Sequence, residues 1–212
     1  MISRRVRLAW PNLRGLRILG YGYALPYLRS FAGEAERIAA LVPTHHEVVA
    51  GDLRFVVEGD EDALPFVDSL FDRILVVHGL ECAESSRLFL RQIWRVLTPE
   101  GRLLCVVPNR ASLWAQIERS PFAHGRPFSR AQLEKLMRDS LFVPERWDSA
   151  LYFPPVPSRR LVRSGVAWER MGRTLWPRLA GVHIVEATKS LYAIAAPQKV
   201  QIRKRVLATI TR

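Results

Sequence analysis

Residues 71–109, FDRILVVHGLECAESSRLFLRQIWRVLTPEGRLLCVVPN, constrain the fold more than any other part of the chain. The apolar run 74–77, flanked by Asp72 and His78, has the length and branched residues of a strand buried on both faces. A helix follows, with Glu84, Ser85 and Ser86 where acidic and capping residues belong. Leu90, Ile93, Trp94 and Leu97 then recur at the spacing of one buried helical face. Arg87, Arg91 and Arg95 fall on another face and are expected in solvent. Thr98-Pro99-Glu100-Gly101 stops the helix, since Pro99 cannot continue it and Gly101 can take the positive φ of a tight turn. A second buried strand over 103–107 ends at Pro108. Strand, helix and strand with short joints make a right-handed βαβ unit, so the two strands run parallel. Ligands of such sheets bind beyond the carboxyl ends of the strands, which directs attention to residues 78–82 and 108–110.

The preceding segments read as further strands of the same sheet. A first strand covers 16–19, followed by the turn Gly20-Tyr21-Gly22-Tyr23-Ala24, with Pro26 in the first turn of the next helix. A second covers 37–42, and a short third covers 55–58 ahead of Gly59-Asp60-Glu61-Asp62. His45 and His46 have no partner at metal-ligand spacing and read as loop residues. Beyond Pro108, Leu113, Trp114 and Ile117 suggest a short helix, and 121–127 is a loop containing His124. Ser129 and Gln132 are spaced as a capping box, and Phe128 and Leu133 as its hydrophobic staple. A strand near 146–152 and a closing strand over 181–192 complete the pattern. Between them, in 158–179, Leu161, Trp168, Met171 and Leu175 form one apolar helical face among arginines. Residues 2–10 have the pattern of a short basic amphipathic helix.

The glycine turn and the block after Gly59 carry a family resemblance. GDEDALPF (59–66), then FD at 71–72, then RVLTPEG ahead of an apolar strand, is similar to the type 11 group of class I S-adenosylmethionine-dependent methyltransferases. The resemblance implies a three-layer α/β, Rossmann-like sandwich with a seven-stranded, mostly parallel sheet and an antiparallel last strand, which "VEATKSLYA" resembles. It implies S-adenosylmethionine as cofactor and methyl transfer to a small-molecule acceptor. It further implies a cofactor site built from Gly20, Tyr21 and Gly22 in the turn, Asp60 and Glu61 at the adenine, and His78 after the fourth strand. Loops such as that of His124 line acceptor pockets in this family, making His124 the candidate catalytic residue.

The chain departs from the family pattern at the cofactor. The acid that precedes the glycines is Ile18, the third glycine is Ala24, and no acid stands at 41–43, where the family holds the ribose hydroxyls. Those losses motivate an alternative reading as a catalytically degenerate binding or scaffold protein. They also make Tyr21, Tyr23 and His45 candidates to compensate. The few residues before the first strand imply either a truncated start or a more open site than in relatives.

Composition narrows the remaining choices. The 212 residues carry a formal charge of +12, which attracts anionic partners non-specifically. A nucleic-acid substrate is not expected, because no RNA-binding module or base-handling motif accompanies the charge. No metal-ligand cluster and no apolar run of about 18 residues occurs, and the two cysteines make no disulfide framework. These features suit a cytoplasmic protein with one domain over 1–197, a helical insert over about 158–179 and a basic tail over 198–212. The insert is a covering element or, alternatively, a docking site for a membrane surface or a protein partner.

Overall fold

The computed structural model describes residues 1–42, 56–116, 125–152 and 165–191. The strands are β1 (Arg17–Gly22), β2 (Arg37–Val42), β3 (Val56–Glu58), β4 (Phe71–Val77), β5 (Leu97–Pro108), β6 (Phe142–Ala150) and β7 (Val182–Lys189). They form one sheet in the order β3-β2-β1-β4-β5-β7-β6. Neighbours from β3 to β5 pair in parallel, whereas β7 is antiparallel to both β5 and β6. This is the expected seven-stranded arrangement, with β7 as its antiparallel strand. The carboxyl ends of β1, β3, β4 and β5 therefore share one edge, which brings Gly22, Asp60, His78 and Pro108 to the same side of the molecule.

Period-two alternation divides the core between the two faces. Leu19, Tyr21, Ile74, Val76, Leu103, Cys105 and Val107 join one cluster, with Phe89, Leu90, Ile93 and Val96 of α3 (Ser86–Val96) and Leu133 and Met137 of α5 (Arg130–Asp139). Ile18, Leu75, Val77, Leu104 and Val106 join the other, with Ile2 and Val6 of α1 (Ile2–Ala9) and Leu28 of α2 (Leu25–Leu28). α1 is the expected amphipathic helix, and α4 (Leu113–Gln116) is the short helix expected after Pro108. Trp10, which follows it, donates from Nε1 to buried Glu186 at 2.9 Å, tying the amino-terminal segment to β7.

Three local expectations are corrected. Gly101 does not take a positive φ; residues 98–101 instead form an irregularity within β5, between the pairs Phe71↔Leu97 and Arg73↔Arg102. A Cβ on Gly101 would lie 2.4 Å from Leu97 Cγ, so glycine is needed there for space. Asp72, opposite the irregularity, accepts from the Arg17 amide at 2.9 Å and from Arg17 Nε at 3.2 Å. It thereby clamps β1 to β4 at the amino edge, away from the ligand side.

Arg95 is not simply solvated. Its guanidinium donates to the carbonyls of Leu64 and Phe66 at 2.8 and 2.7 Å, to Asp68 at 2.8 Å and to Gln92. From the end of α3 it satisfies carbonyls of the irregular backbone that follows β3. Arg87 and Arg91 stay exposed, as expected.

The third correction concerns the helix of the 158–179 stretch. Among its described positions, α6 (Gly165–Leu175) docks through Glu169 and Gly172, and Leu161 of the expected apolar face lies outside the described residues. Glu169 accepts from the amides of Leu151 and Tyr152, at 2.7 and 3.1 Å, where β6 has ended. Gly172 leaves room for Tyr152, whose Cβ would be 2.3 Å from an added Cβ. Met171 and Leu175 are 43% and 58% exposed. The amides at the end of β6 find their acceptor in Glu169.

The α5 amino terminus forms as the sequence predicts, with Ser129 Oγ accepting from Gln132 N and Gln132 Oε1 accepting from Ser129 N. Ser129→Ala should lower unfolding stability by about 1 kcal/mol, measured by denaturant titration. A second prediction concerns His183 on β7, which packs edge-on against Trp147 with a buried Nε2. Burial, reinforced by Arg130, lowers its pKa to about 4. The unfolded chain therefore binds this proton first as pH falls from about 6.5, and stability drops across the window between that pH and about 4. His183→Phe should make the urea midpoint less sensitive between pH 7 and 5 than in the wild type; equal sensitivity in both would refute the assignment.

Candidate cofactor site at the carboxyl edge

Three loops meet at the carboxyl edge of the sheet. The first follows β1. The strand runs through Gly20 and Tyr21 to Gly22, further than the expected 16–19, and the chain turns at Gly22, where φ is +68°. A Cβ on Gly22 would stand 2.5 Å from the Val77 carbonyl oxygen, and that oxygen accepts the Tyr23 amide at 2.7 Å. Glycine at this position lets the β1 turn lie against the end of β4. Gly20 has a different task. A Cβ there would meet Leu28 Cδ1 at 2.4 Å, so Gly20 admits α2 against the sheet and does not make the sharp turn.

Tyr21 points into the core. Its ring centroid lies 4.4 Å from that of Phe89, and Gly79 passes so closely over the ring that an added Cβ would be 2.4 Å from it. Its hydroxyl donates to Glu61 at 3.3 Å. Burial, followed by the charge of Glu61, raises the Tyr21 pKa. With its hydroxyl bound to Glu61, Tyr21 does not replace the missing acids; Tyr23 is 63% exposed.

The second loop follows β3. The Gly59 amide donates to the Val42 carbonyl at 3.3 Å, Asp60 is exposed, and Leu64 is buried with Phe66 packed against Phe71. Glu61 accepts from both the Tyr21 hydroxyl and the Glu84 amide. One carboxylate thus joins the β3 loop to β1 and to the segment before α3. Arg95 secures the other side of the loop through Leu64, Phe66 and Asp68.

The third loop follows β4. His78 has φ +52° and its amide donates to the Val106 carbonyl at 3.1 Å. His78 Nδ1 lies 2.8 Å from Oε1 of Glu81, whose side chain is 2% exposed. Oε2 of Glu81 is buried without a hydrogen-bond partner. Gly125, at φ +81°, lies over this residue, and the Arg126 amide donates to the Glu81 carbonyl at 2.8 Å. Sequence reasoning pointed to residues 78–82 without singling out Glu81. The signal was an acid three positions after His78 at a strand's carboxyl end; its burial was visible only in the fold.

The remaining sequence candidates divide clearly. Asn109, beyond β5, is occupied structurally: Nδ2 donates to the carbonyls of Arg178 and Ala180, and Oδ1 accepts the Ala111 amide. Ile18 and Leu41, which stand in the places of the missing acids, are 0% and 1% exposed and belong to the core. His45, His46 and His124 lie outside the described residues. Among the described residues, no group of three or more His, Cys, Asp or Glu could hold a metal ion, and no helix is long and apolar enough to cross a membrane.

The expected cofactor presents a cationic amino-acid end, a ribose and an adenine. Against these groups the edge offers a glycine turn, an exposed acid at Asp60 and an unpartnered buried carboxylate oxygen at Glu81, an acceptor set that fits the N–H donors of the cationic and adenine ends.

Comparison with known proteins agrees with this architecture. Residues 19–105 match a methyltransferase domain family. Over 64 residues the chain is 46% identical to the ubiquinone/menaquinone biosynthesis C-methyltransferase of Azotobacter vinelandii, covering 30% of this chain and 25% of that protein. The chain spans about a quarter to two-fifths of the length of the curated relatives it matches. A solved complex of the Haloferax volcanii Trm112 methyltransferase activator with a methyltransferase contains a chain that superposes at TM-score 0.66. It has 19% identity and covers 90% of this chain and 89% of that one. The S-adenosylmethionine-dependent methyltransferase of Mesorhizobium loti superposes at 0.63, with 16% identity over 88% and 96% of the two chains. With its 3-2-1-4-5-7-6 sheet, the chain has the fold of these solved methyltransferases, and its residues 19–105 are similar to a methyltransferase domain.

Proposed function

We propose that this protein transfers a methyl group from S-adenosylmethionine to a small-molecule acceptor. The observation that carries the reading is the convergence of the Gly22 turn, the Asp60 loop and the His78–Glu81 loop on one sheet edge. They are bound to one another through Tyr23–Val77, Tyr21–Glu61 and Glu84–Glu61. The cofactor supplies a methyl already activated on a sulfonium, so the protein's work is positioning and exclusion of water. Gly22 gives the turn its close approach to β4. Asp60 is the acceptor for an adenine amine, and Arg95 keeps its loop in place.

The acceptor is proposed from two features. Relatives matched by the chain are named for ubiquinone/menaquinone biosynthesis and demethylmenaquinone methylation, so reduced demethylquinones are the first acceptors to assay. Near the carboxyl end of β5, Met171, Leu175, Trp176 and Leu179 are all more than 40% exposed, and Asn109 holds the Arg178 carbonyl beneath them. That apolar rim suits a poorly water-soluble acceptor or the surface that delivers it.

Cofactor binding is expected to be weaker than in relatives that retain the acids at the positions of Ile18 and 41–43, since each charge-assisted hydrogen bond is worth roughly 1.5–3 kcal/mol. Binding of S-adenosylhomocysteine should appear in the micromolar to high-micromolar range by calorimetry. At 100-fold the dissociation constant the ligand should stabilise the fold by about 2.7 kcal/mol. Asp60→Ala should weaken binding. Arg95→Met should weaken binding as well and lower stability by about 2–3 kcal/mol through the stranded Leu64 and Phe66 carbonyls. Arg87→Met, which removes only an exposed pair with Asp139, should change stability by less than about 1 kcal/mol. Absence of heat and thermal shift at millimolar cofactor would reject the proposal.

A further inference from the structure

Resting on the cofactor reading above, we infer that Glu81 is the acid that receives the α-ammonium group of S-adenosylmethionine, taking over at the end of β4 a charge role that the β1 turn lacks. Three observations support this assignment. Glu81 is 3% exposed, and its Oε2 has no hydrogen-bond partner although Oε1 is engaged by His78 at 2.8 Å. A buried carboxylate oxygen left unpaired is costly, and buried polar groups are almost always satisfied. A ligand that brings an N–H donor with positive charge removes the deficit more effectively than a neutral donor.

The position of Glu81 selects which part of the cofactor supplies that donor. His78 follows Val77 directly, and the Val77 carbonyl is the point at which the Tyr23 amide joins β1 to β4. The loop that carries Glu81 therefore starts against the Gly22 turn, with Gly79 Cα 3.3 Å from where a Cβ on Gly22 would lie. Asp60, assigned to the adenine, lies across the sheet beyond β2, on the loop after β3. A cofactor lying along this edge with adenine at Asp60 has its amino-acid end at the β1–β4 junction. The β1 turn has no carboxylate of its own to offer, because Ile18 is wholly buried among Leu75, Val77 and Leu104 and Tyr21 faces the opposite core. The nearby Glu61 is already occupied by Tyr21 and Glu84. Among the described residues, Glu81 is the acid at this junction with an oxygen still to satisfy. Gly125 and the Arg126 amide hold its backbone in place.

Calorimetry on the full chain with three ligands tests the assignment. S-Adenosylhomocysteine carries the ammonium, its des-amino analogue lacks only that group, and 5′-methylthioadenosine lacks the whole amino-acid arm. Wild-type protein should bind S-adenosylhomocysteine about ten- to a hundredfold more tightly than the des-amino analogue. Glu81→Gln, which keeps the shape but loses the charge, should erase that difference and leave methylthioadenosine affinity unchanged. Equal wild-type affinity for the first two ligands would overturn the assignment, and this comparison needs no variant to fold. A Glu81→Gln protein that retains the full preference for the ammonium would also overturn it. So would one that binds normally but loses turnover, which would move Glu81 to the acceptor. Failure of all three ligands to bind wild-type protein would reject the cofactor reading itself, a result distinct from loss of the ammonium preference alone.

Discussion

The contact between the β1 turn and the end of β4 is the constraint on which the site depends. Gly22 and Val77 approach so closely that a single methyl group at Gly22 would lie 2.5 Å from a carbonyl oxygen, and the backbone there is left-handed. A non-glycine residue would carry a backbone cost of roughly 1–2 kcal/mol in addition to the collision. The Tyr23 amide bonded to Val77 holds the turn shut. His78 and Glu81 take their places relative to the glycine turn because of this one joint.

Charged side chains hold the rest of the edge by binding backbone as well as each other. Arg95 supports the loop after β3 by its carbonyls, Glu61 receives an amide from the segment before α3, and Glu169 receives two amides past the end of β6. Each satisfies polar groups that irregular backbone leaves unpaired near the core. The consequence is functional: loops that carry no regular secondary structure become fixed parts of a site. Lys189 acts in the same way on the opposite edge, donating to the Leu97 carbonyl at 2.7 Å with its ammonium over the Trp94 ring.

The 74–77 and 103–107 runs, the Ser129 cap and the glycine turn were legible because each rests on local chemistry: apolar periodicity, capping geometry and permitted φ. Their outcomes match the sequence reading closely, as with β2 at Arg37–Val42. Arg95 and Gly101 were misread because their roles depend on partners distant in sequence or on a strand irregularity. Helical spacing places Arg95 on a polar face but cannot say that the carbonyls of Leu64 and Phe66 lie beside it.

The sequence by itself determined the parallel βαβ block, the mostly parallel character of the sheet, the resemblance to a methyltransferase domain and the absence of acids at Ile18 and 41–43, since all of these are written in residue type and spacing. Only the tertiary structure decided which glycine turns and which one packs, that Tyr21 faces the core, that α6 docks by Glu169 instead of by Met171 and Leu175, and that Glu81 is buried with one oxygen unpaired. The physical reason is that burial and hydrogen-bond satisfaction are properties of neighbours. An acid in a sequence is solvated by default, and it becomes a site when the fold removes its water without supplying a partner.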